Sequence, residues 1–346
     1  MFNYINGISQ QQHGNSTMRI ALVIGNGFTL SLTRLLGMDW CPSSPMAWPA
    51  MSVQSVQSDV PLLADFPDLA QFMATRDMGE TDFAVFDRMV GKGQPLSDLP
   101  LPRADTEAAI LDAGHYLTLA FSQFQLQLDD QDLAGWHWSD WLQSNQARLV
   151  AVLSWNYDLL FELAWARLRR PYFYPSIPSV CEGGDIRYGL TAVPVCKPHG
   201  SCNFAPAMSI GIPDGDEVRP LSYPRKVHVT AADCPMRVLQ RRELLAPRAV
   251  PDIILPGELN RFGRHLHWVD HALSVFTRKL QFADHLVVVG FSMGAPDRDE
   301  FVRALGARTD FERISVVDPN PSGELVDLLR ERCRSGVDLY DYAMPV

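Results

Sequence analysis

Two short segments carry residue types that could break a bond. Ser154-Trp155-Asn156-Tyr157-Asp158 follows the apolar run Leu149–Leu153, and Lys197-Pro198-His199-Gly200-Ser201 follows Val193–Cys196. Continuous apolar runs of this kind suit strands covered on both faces. In an open parallel sheet, ligands bind beyond the carboxyl ends of the strands. Asn156, Asp158 and His199 would then face one crevice. A neutral amide, a carboxylate and an imidazole can orient a substrate and move a proton, as cleavage of a glycosidic or acyl bond requires. Each also has a plainer explanation. Asn and Asp are favoured at helix N-termini, and a single loop histidine is more often structural than catalytic.

Three further turns could bind a ligand. Gly25-Asn26-Gly27 lets backbone approach a phosphate at a helix start, but Leu30 stands where a dinucleotide fingerprint has its third glycine. Gly290-Phe291-Ser292-Met293, with Asp297 and Asp299 nearby, offers N–H groups and a hydroxyl to a phosphate or ribose. Asp318 and Asn320, in Asp318-Pro319-Asn320, end the last apolar run, where an acidic residue can hold ribose hydroxyls. An ordinary turn with a helix cap accounts for each as well. His267 and His271 lie four apart on one expected helix with Asp270 and His265 close by, but no third ligand at a second site is evident, so helix surface or packing is the better reading.

Six strands are expected to position these turns: Arg19–Ile24, Leu149–Leu153, Val193–Cys196, Asp252–Leu255, His285–Val289 and Ile314–Val317. Helices are expected at Leu159–Arg167, His267–Phe282, Arg298–Leu305 and Gly323–Arg332, between or after the strands. The alternation implies an α/β fold, a doubly wound, mostly parallel six-stranded Rossmann-like sheet. Helical periodicity without a strand predicts a helical insertion at about 45–145. Gly, Pro and short β-like pieces predict a loop or hairpin excursion at about 203–245. Residues 1–17 are polar and aperiodic and are expected to form a loose, dispensable tail before a domain at 18–346.

The 346 residues are 47% hydrophobic, enough for a substantial core, and the formal net charge is -10. Such an acidic chain is poorly suited to gripping nucleic acid directly. No apolar run is long enough to span a bilayer. None of the six cysteines forms a Cys-x-x-Cys pair, so no zinc ribbon and no other metal is expected. No secretory leader is evident, which leads to the expectation of reduced thiols and a cytoplasmic location.

In this order, the motifs resemble the sirtuin-like superfamily. In particular they resemble the bacterial sirtuin-like NAD-hydrolase domains of anti-phage defence proteins. The matching residues are Gly25-Asn26-Gly27, Trp155-Asn156-Tyr157-Asp158, Lys197-Pro198-His199-Gly200-Ser201, Gly290-Phe291-Ser292 with Asp297, and Val317-Asp318-Pro319-Asn320. The match runs from about Met18 to Val346, ending where such a catalytic domain would end. The resemblance implies an NAD+ glycohydrolase that uses NAD+ as substrate and no metal. Asn156 would place the ribose or attacking water, His199 would be the base, and Asp158 would help hold the nicotinamide amide. Gly25, Asn26, Gly27, Gly290 and Ser292 would meet phosphates and ribose, with Asp318 and Asn320 near the adenosine. Asn156 and His199 are expected to be partly exposed. The alternatives are a transferase of ADP-ribose or acyl groups, or a non-catalytic nucleotide sensor. Implied partners are copies of the same chain, a regulatory protein such as a defence ATPase or sensor, or both. The family's deacylases carry zinc cysteines and an Asp-Phe-Arg element after the glycine turn. This chain has neither, which sets it apart from protein deacylation.

Overall fold

The computed structural model describes residues 18–48, 62–92, 104–175, 177, 192–206, 236–245, 253–256 and 267–342. The expected tail at 1–17 lies outside the described residues, as does most of the 203–245 excursion. Strand β1 (Ile20–Ile24) leads through Gly25 into helix α1 (Asn26–Leu35). Between β1 and the next strand the described elements are helical: α2 (Pro67–Met73), α3 (Asp82–Lys92), α4 (Ala104–Asp129) and α5 (His137–Asn145), with short 3-10 turns at Pro45–Ala47 and Leu62–Asp65. Along α4, Ala109, Ala113, Tyr116, Leu117, Ala120 and Phe124 recur at helical spacing and are buried.

The chain then alternates strand and helix. It runs through β2 (Leu149–Ser154), α6 (Leu160–Arg167), β3 (Tyr172–Phe173) and β4 (Val193–Cys196). The short β5 (Phe204–Pro206) and β6 (Met236–Val238) pair antiparallel apart from the main sheet. Next come α7 (His267–Leu280), β7 (His285–Val289), α8 (Ala295–Leu305), β8 (Arg313–Val317), α9 (Gly323–Arg330) and β9 (Val337–Tyr340).

The main sheet has seven strands in the order β3-β4-β2-β1-β7-β8-β9, every pair parallel. This α/β architecture matches the expected class, with differences in the strand set. Of the expected strand Asp252–Leu255, Asp252 lies outside the described residues and 253–255 is not a strand of the sheet. Ile253 makes a single antiparallel bridge to Gly200, although Ile253, Ile254 and Leu255 are all buried. A short apolar run reports burial, and period alone cannot tell a strand from a packed loop. The edge strands β3 and β9 escaped sequence reading for the converse reason. One is two residues long, and the other is half exposed, with Asp338 in its middle.

β1 is buried at all five positions because strands flank it and helices cover it. Its last residue, Ile24, registers with Ser154 on β2 and with Val289 on β7. On β2, Leu153 registers with Cys196 of β4. The turns that begin at Gly25, Trp155, Lys197 and Gly290 therefore leave the same carboxyl edge, side by side. No described helix is long and apolar enough to cross a membrane.

His285 opens β7, is 2% exposed, and shares a 2.9 Å hydrogen bond between Nε2 and Ser315 Oγ. Burial pushes its imidazole down to about 4, aided by the charges of Arg313 and Arg148. The fold thus favours the neutral ring. That stabilisation is complete above the ordinary value of 6.5 and is lost as pH falls from there toward about 4. At full extent it amounts to roughly 3 kcal/mol. In urea titrations across that range, His285→Gln should lose stability less steeply than wild type. Parallel pH dependences would contradict this.

Candidate functional site

The glycine turns pack on one another, backbone to backbone. Gly25 N–H donates to Val289 C=O at 2.9 Å, and Gly27 N–H donates to Gly290 C=O at 3.1 Å. A Cβ on Gly27 would lie 2.5 Å from Gly290 Cα, and one on Gly290 would lie 2.2 Å from Gly27 Cα. Gly290 also has φ +54, a region costly for side-chain-bearing residues. These glycines join the ends of β1 and β7, and the Gly27 N–H is already used inside the protein. Gly290→Ala should therefore cost at least about 2 kcal/mol in chemical denaturation, summing left-handed strain and overpacking. A loss under about 0.5 kcal/mol would show that the two turns can part.

Asn156 is fixed by a relay. Thr29, in the first turns of α1, donates its hydroxyl to Asp158 Oδ2 at 2.9 Å and accepts from Asn156 Nδ2 at 3.0 Å. A hydroxyl hydrogen committed to a carboxylate leaves only lone pairs toward Asn156, so the amide nitrogen must face Thr29. Asn156 Oδ1 is left buried, with no hydrogen-bond partner among the described residues. Nothing in the type of Thr29 distinguished it in the sequence.

Asp158 belongs to the scaffold that holds this relay. Its Oδ1 accepts from the Leu160 N–H at 3.0 Å, satisfying the first N–H of α6, and the residue is 2% exposed. Burial raises its pKa, with Lys197 and the two hydrogen bonds opposing. Lys197, itself 1% exposed, donates to the Asp158 carbonyl at 2.5 Å and to Glu162 Oε1 at 3.3 Å. Glu162 Oε1 also accepts from the Tyr174 hydroxyl at 2.9 Å.

His199 follows β4 in a turn closed by Gly200, whose φ is +81. The Ile254 N–H donates to the His199 carbonyl at 2.9 Å, and the Tyr157 hydroxyl donates to the Ile254 carbonyl at 2.7 Å. The apolar run expected to be a strand thus braces the histidine turn. His199 Nε2 lies 2.9 Å from Glu300 Oε2 and 3.7 Å from Asp297 Oδ1. Burial raises the Asp297 pKa, His199 opposes the shift, and Glu300 and Asp87 add to it. Trp155 stands edge-on to the His199 ring at 6.2 Å and lies 4.5 Å from Phe291. Its indole N–H is buried without a partner among the described residues. Asn156 and His199 are 3% and 5% exposed, not partly exposed as expected. The sheet edge and the inserted helices enclose both.

A cavity of about 480 Å³ opens over this edge, within the size range of small-molecule sites. Of the residues singled out in the sequence, Gly25, Asn26, Asn156, His199, Gly290 and Ser292 line it. Gly27, Asp158, Asp318 and Asn320 are not among its lining residues. Asp318 instead accepts from the Asn320 N–H at 2.8 Å at the end of β8, one strand beyond β7. Sequence reading missed the opposite wall, where Ser43, Ser44, Thr81, Phe83 and Asp87 come from the segment between β1 and β2. No Lys or Arg is among the described lining residues. Among the described residues, an anionic ligand would meet hydroxyls and the N-terminus of α1. A cationic ring would meet Asp87 and Asp297. Among the described residues no group of three or more His, Cys, Asp or Glu is arranged to hold a metal. Among the described residues, Cys41, Cys196 and Cys333 are free thiols.

No family model matches this chain, and no curated protein matches it. Among solved structures it is similar to the crystal structure of a Sir2 homolog–NAD complex, at 12% identity and a TM-score of 0.31. That similarity covers 93% of this chain and 82% of the other. A score so low supports neither fold nor activity, and the architecture stands on its own strand order and register.

Proposed function

We propose that the cavity binds NAD+ and hydrolyses its nicotinamide–ribose bond, giving nicotinamide and ADP-ribose. The observation that carries this reading is one cavity lined by both His199 and Asn156, the latter with a buried Oδ1 that has no partner among the described residues. An acceptor left open at such a depth is costly unless a ligand or water satisfies it. The nicotinamide ring of NAD+ is a cationic leaving group, so the bond breaks with modest help through an oxocarbenium-like state. The protein's work is then orientation and electrostatic stabilisation.

In the reaction, the bond from the ribose anomeric carbon to the ring nitrogen breaks. Its electron pair stays on the nitrogen, giving neutral nicotinamide. Water adds to the same carbon. Asn156 Oδ1 accepts a hydrogen bond from that water and orients it, while His199 takes its proton directly or through a ribose hydroxyl. Asp87 complements the cationic ring before cleavage, and Trp155 and Phe291 give the site an apolar wall. Backbone at Asn26, with the Ser292 hydroxyl, serves the phosphates and ribose, because the Gly25, Gly27 and Gly290 N–H groups donate to the Val289, Gly290 and Val317 carbonyls.

By the motif resemblance we place this activity in anti-phage defence. Unchecked NAD+ loss would kill the host, so the enzyme would be restrained or activated by self-assembly or a regulatory partner. Incubation with NAD+ and chromatography of the products tests the reading at several protein concentrations. Nicotinamide and free ADP-ribose in equal amounts are expected. Unchanged NAD+ at every concentration, or ADP-ribose only on protein, would overturn it.

A further inference from the structure

We infer that Glu300 is the positioning residue for His199: it fixes which imidazole nitrogen holds the hydrogen and stabilises the charge the ring gains on taking a proton. The catalytic consequence rests on the hydrolase reading above, whereas the pairing itself does not. Glu300 sits on α8, is 4% exposed, and is not among the residues lining the cavity. His199 lines the cavity and meets Glu300 Oε2 through Nε2 at 2.9 Å. Glu300 therefore acts on a substrate only through the imidazole.

An ionised carboxylate accepts hydrogen bonds and donates none. The contact accordingly places the hydrogen on Nε2 and leaves the lone pair on Nδ1. When the ring takes a second proton, the adjacent carboxylate offsets the cost of a buried cation. The arrangement repeats the logic of a base oriented by a third group, reached here from a different element. The charged groups facing this ring include Glu300 and Asp297 of α8, with Asp87 of α3 acting on Asp297. Burial, Glu300 and Asp87 raise the Asp297 carboxyl while His199 opposes them, and Glu300 is the nearer acceptor for Nε2, at 2.9 Å against 3.7 Å. No motif marked this pairing: Glu300 is three residues past the Asp297 of the matched motif and 101 residues from His199.

Heteronuclear NMR of the imidazole nitrogens tests the pairing without any turnover. In the wild-type protein His199 should carry its hydrogen on Nε2 when neutral. In Glu300→Gln, which keeps the shape and removes the charge, its titration midpoint should fall by about one pH unit. In NAD+ turnover, kcat of Glu300→Gln should fall at least ~10-fold. Its KM should stay within about threefold, and the acid limb of the pH profile should move to lower pH in step with the NMR midpoint. A merely structural glutamate would leave that limb in place. A hydrogen on Nδ1 in wild type, an unmoved midpoint, or an unchanged kcat would each overturn the inference. The wild-type tautomer decides the matter even if the variant does not fold. Loss of the hydrolase reading looks different: the NMR results hold while wild type leaves NAD+ intact.

Discussion

Replacing His199 with glutamine is expected to lower NAD+ turnover by at least about 10²-fold, the lower end of what a general base contributes. Glutamine cannot take the proton, but its amide N–H can still donate to Glu300. His199→Ala should lose as much turnover and more stability. It leaves Glu300, only 4% exposed, as a buried carboxylate without its 2.9 Å partner. Asn156→Ala should be comparably inactive, since misplacing the reacting water alone costs about 10²-fold. It also leaves Thr29 Oγ1 without the N–H it receives at 3.0 Å. Turnover is measured beside urea unfolding for each variant. If His199→Gln is folded and turns over at the wild-type rate, the histidine is a packed loop residue and not the base.

The second large effect falls on stability. Lys197→Met should cost about 3–5 kcal/mol in chemical denaturation, the range seen when one member of a buried ion pair is removed. Lys197 and Glu162 have side chains 0% and 4% exposed, so neither charge can turn to water. The substitution also removes the 2.5 Å bond to the Asp158 carbonyl, next to the relay that orients Asn156. Combining it with Glu162→Gln should restore part of the loss, because the stranded carboxylate is gone and the Tyr174 hydroxyl keeps an acceptor. A loss under about 1 kcal/mol for Lys197→Met alone would mean that water or another group reaches Glu162.

The strand ends were legible in the sequence because buried parallel strands read as unbroken apolar runs. Ile20–Ile24, Leu149–Ser154, Val193–Cys196 and His285–Val289 carry that signal, and the turns after them hold most of the residues singled out. What the sequence could not convey is how those turns use their atoms. The Gly25-Asn26-Gly27 turn looked like a phosphate cradle, yet the Gly27 N–H is bonded to Gly290 and the glycines serve close backbone packing. Asp158 looked like a ligand-binding carboxylate and is an acceptor for the first N–H of α6 and an anchor for Thr29, the plainer explanation its residue type allowed. Glu300 and Asp87 were hidden because their partners are distant in sequence and each lies on an otherwise ordinary helix. Asp318 was placed by analogy with an acidic strand end, but the strand order sets β8 one step beyond the cavity.

The most direct measurement is one reaction of the purified protein with NAD+ in water enriched in heavy oxygen, with all products weighed by mass spectrometry. The account predicts equal amounts of nicotinamide and free ADP-ribose, the ADP-ribose carrying one heavy oxygen at the carbon that nicotinamide left. Intact NAD+, or ADP-ribose found attached to protein with none free, would contradict it.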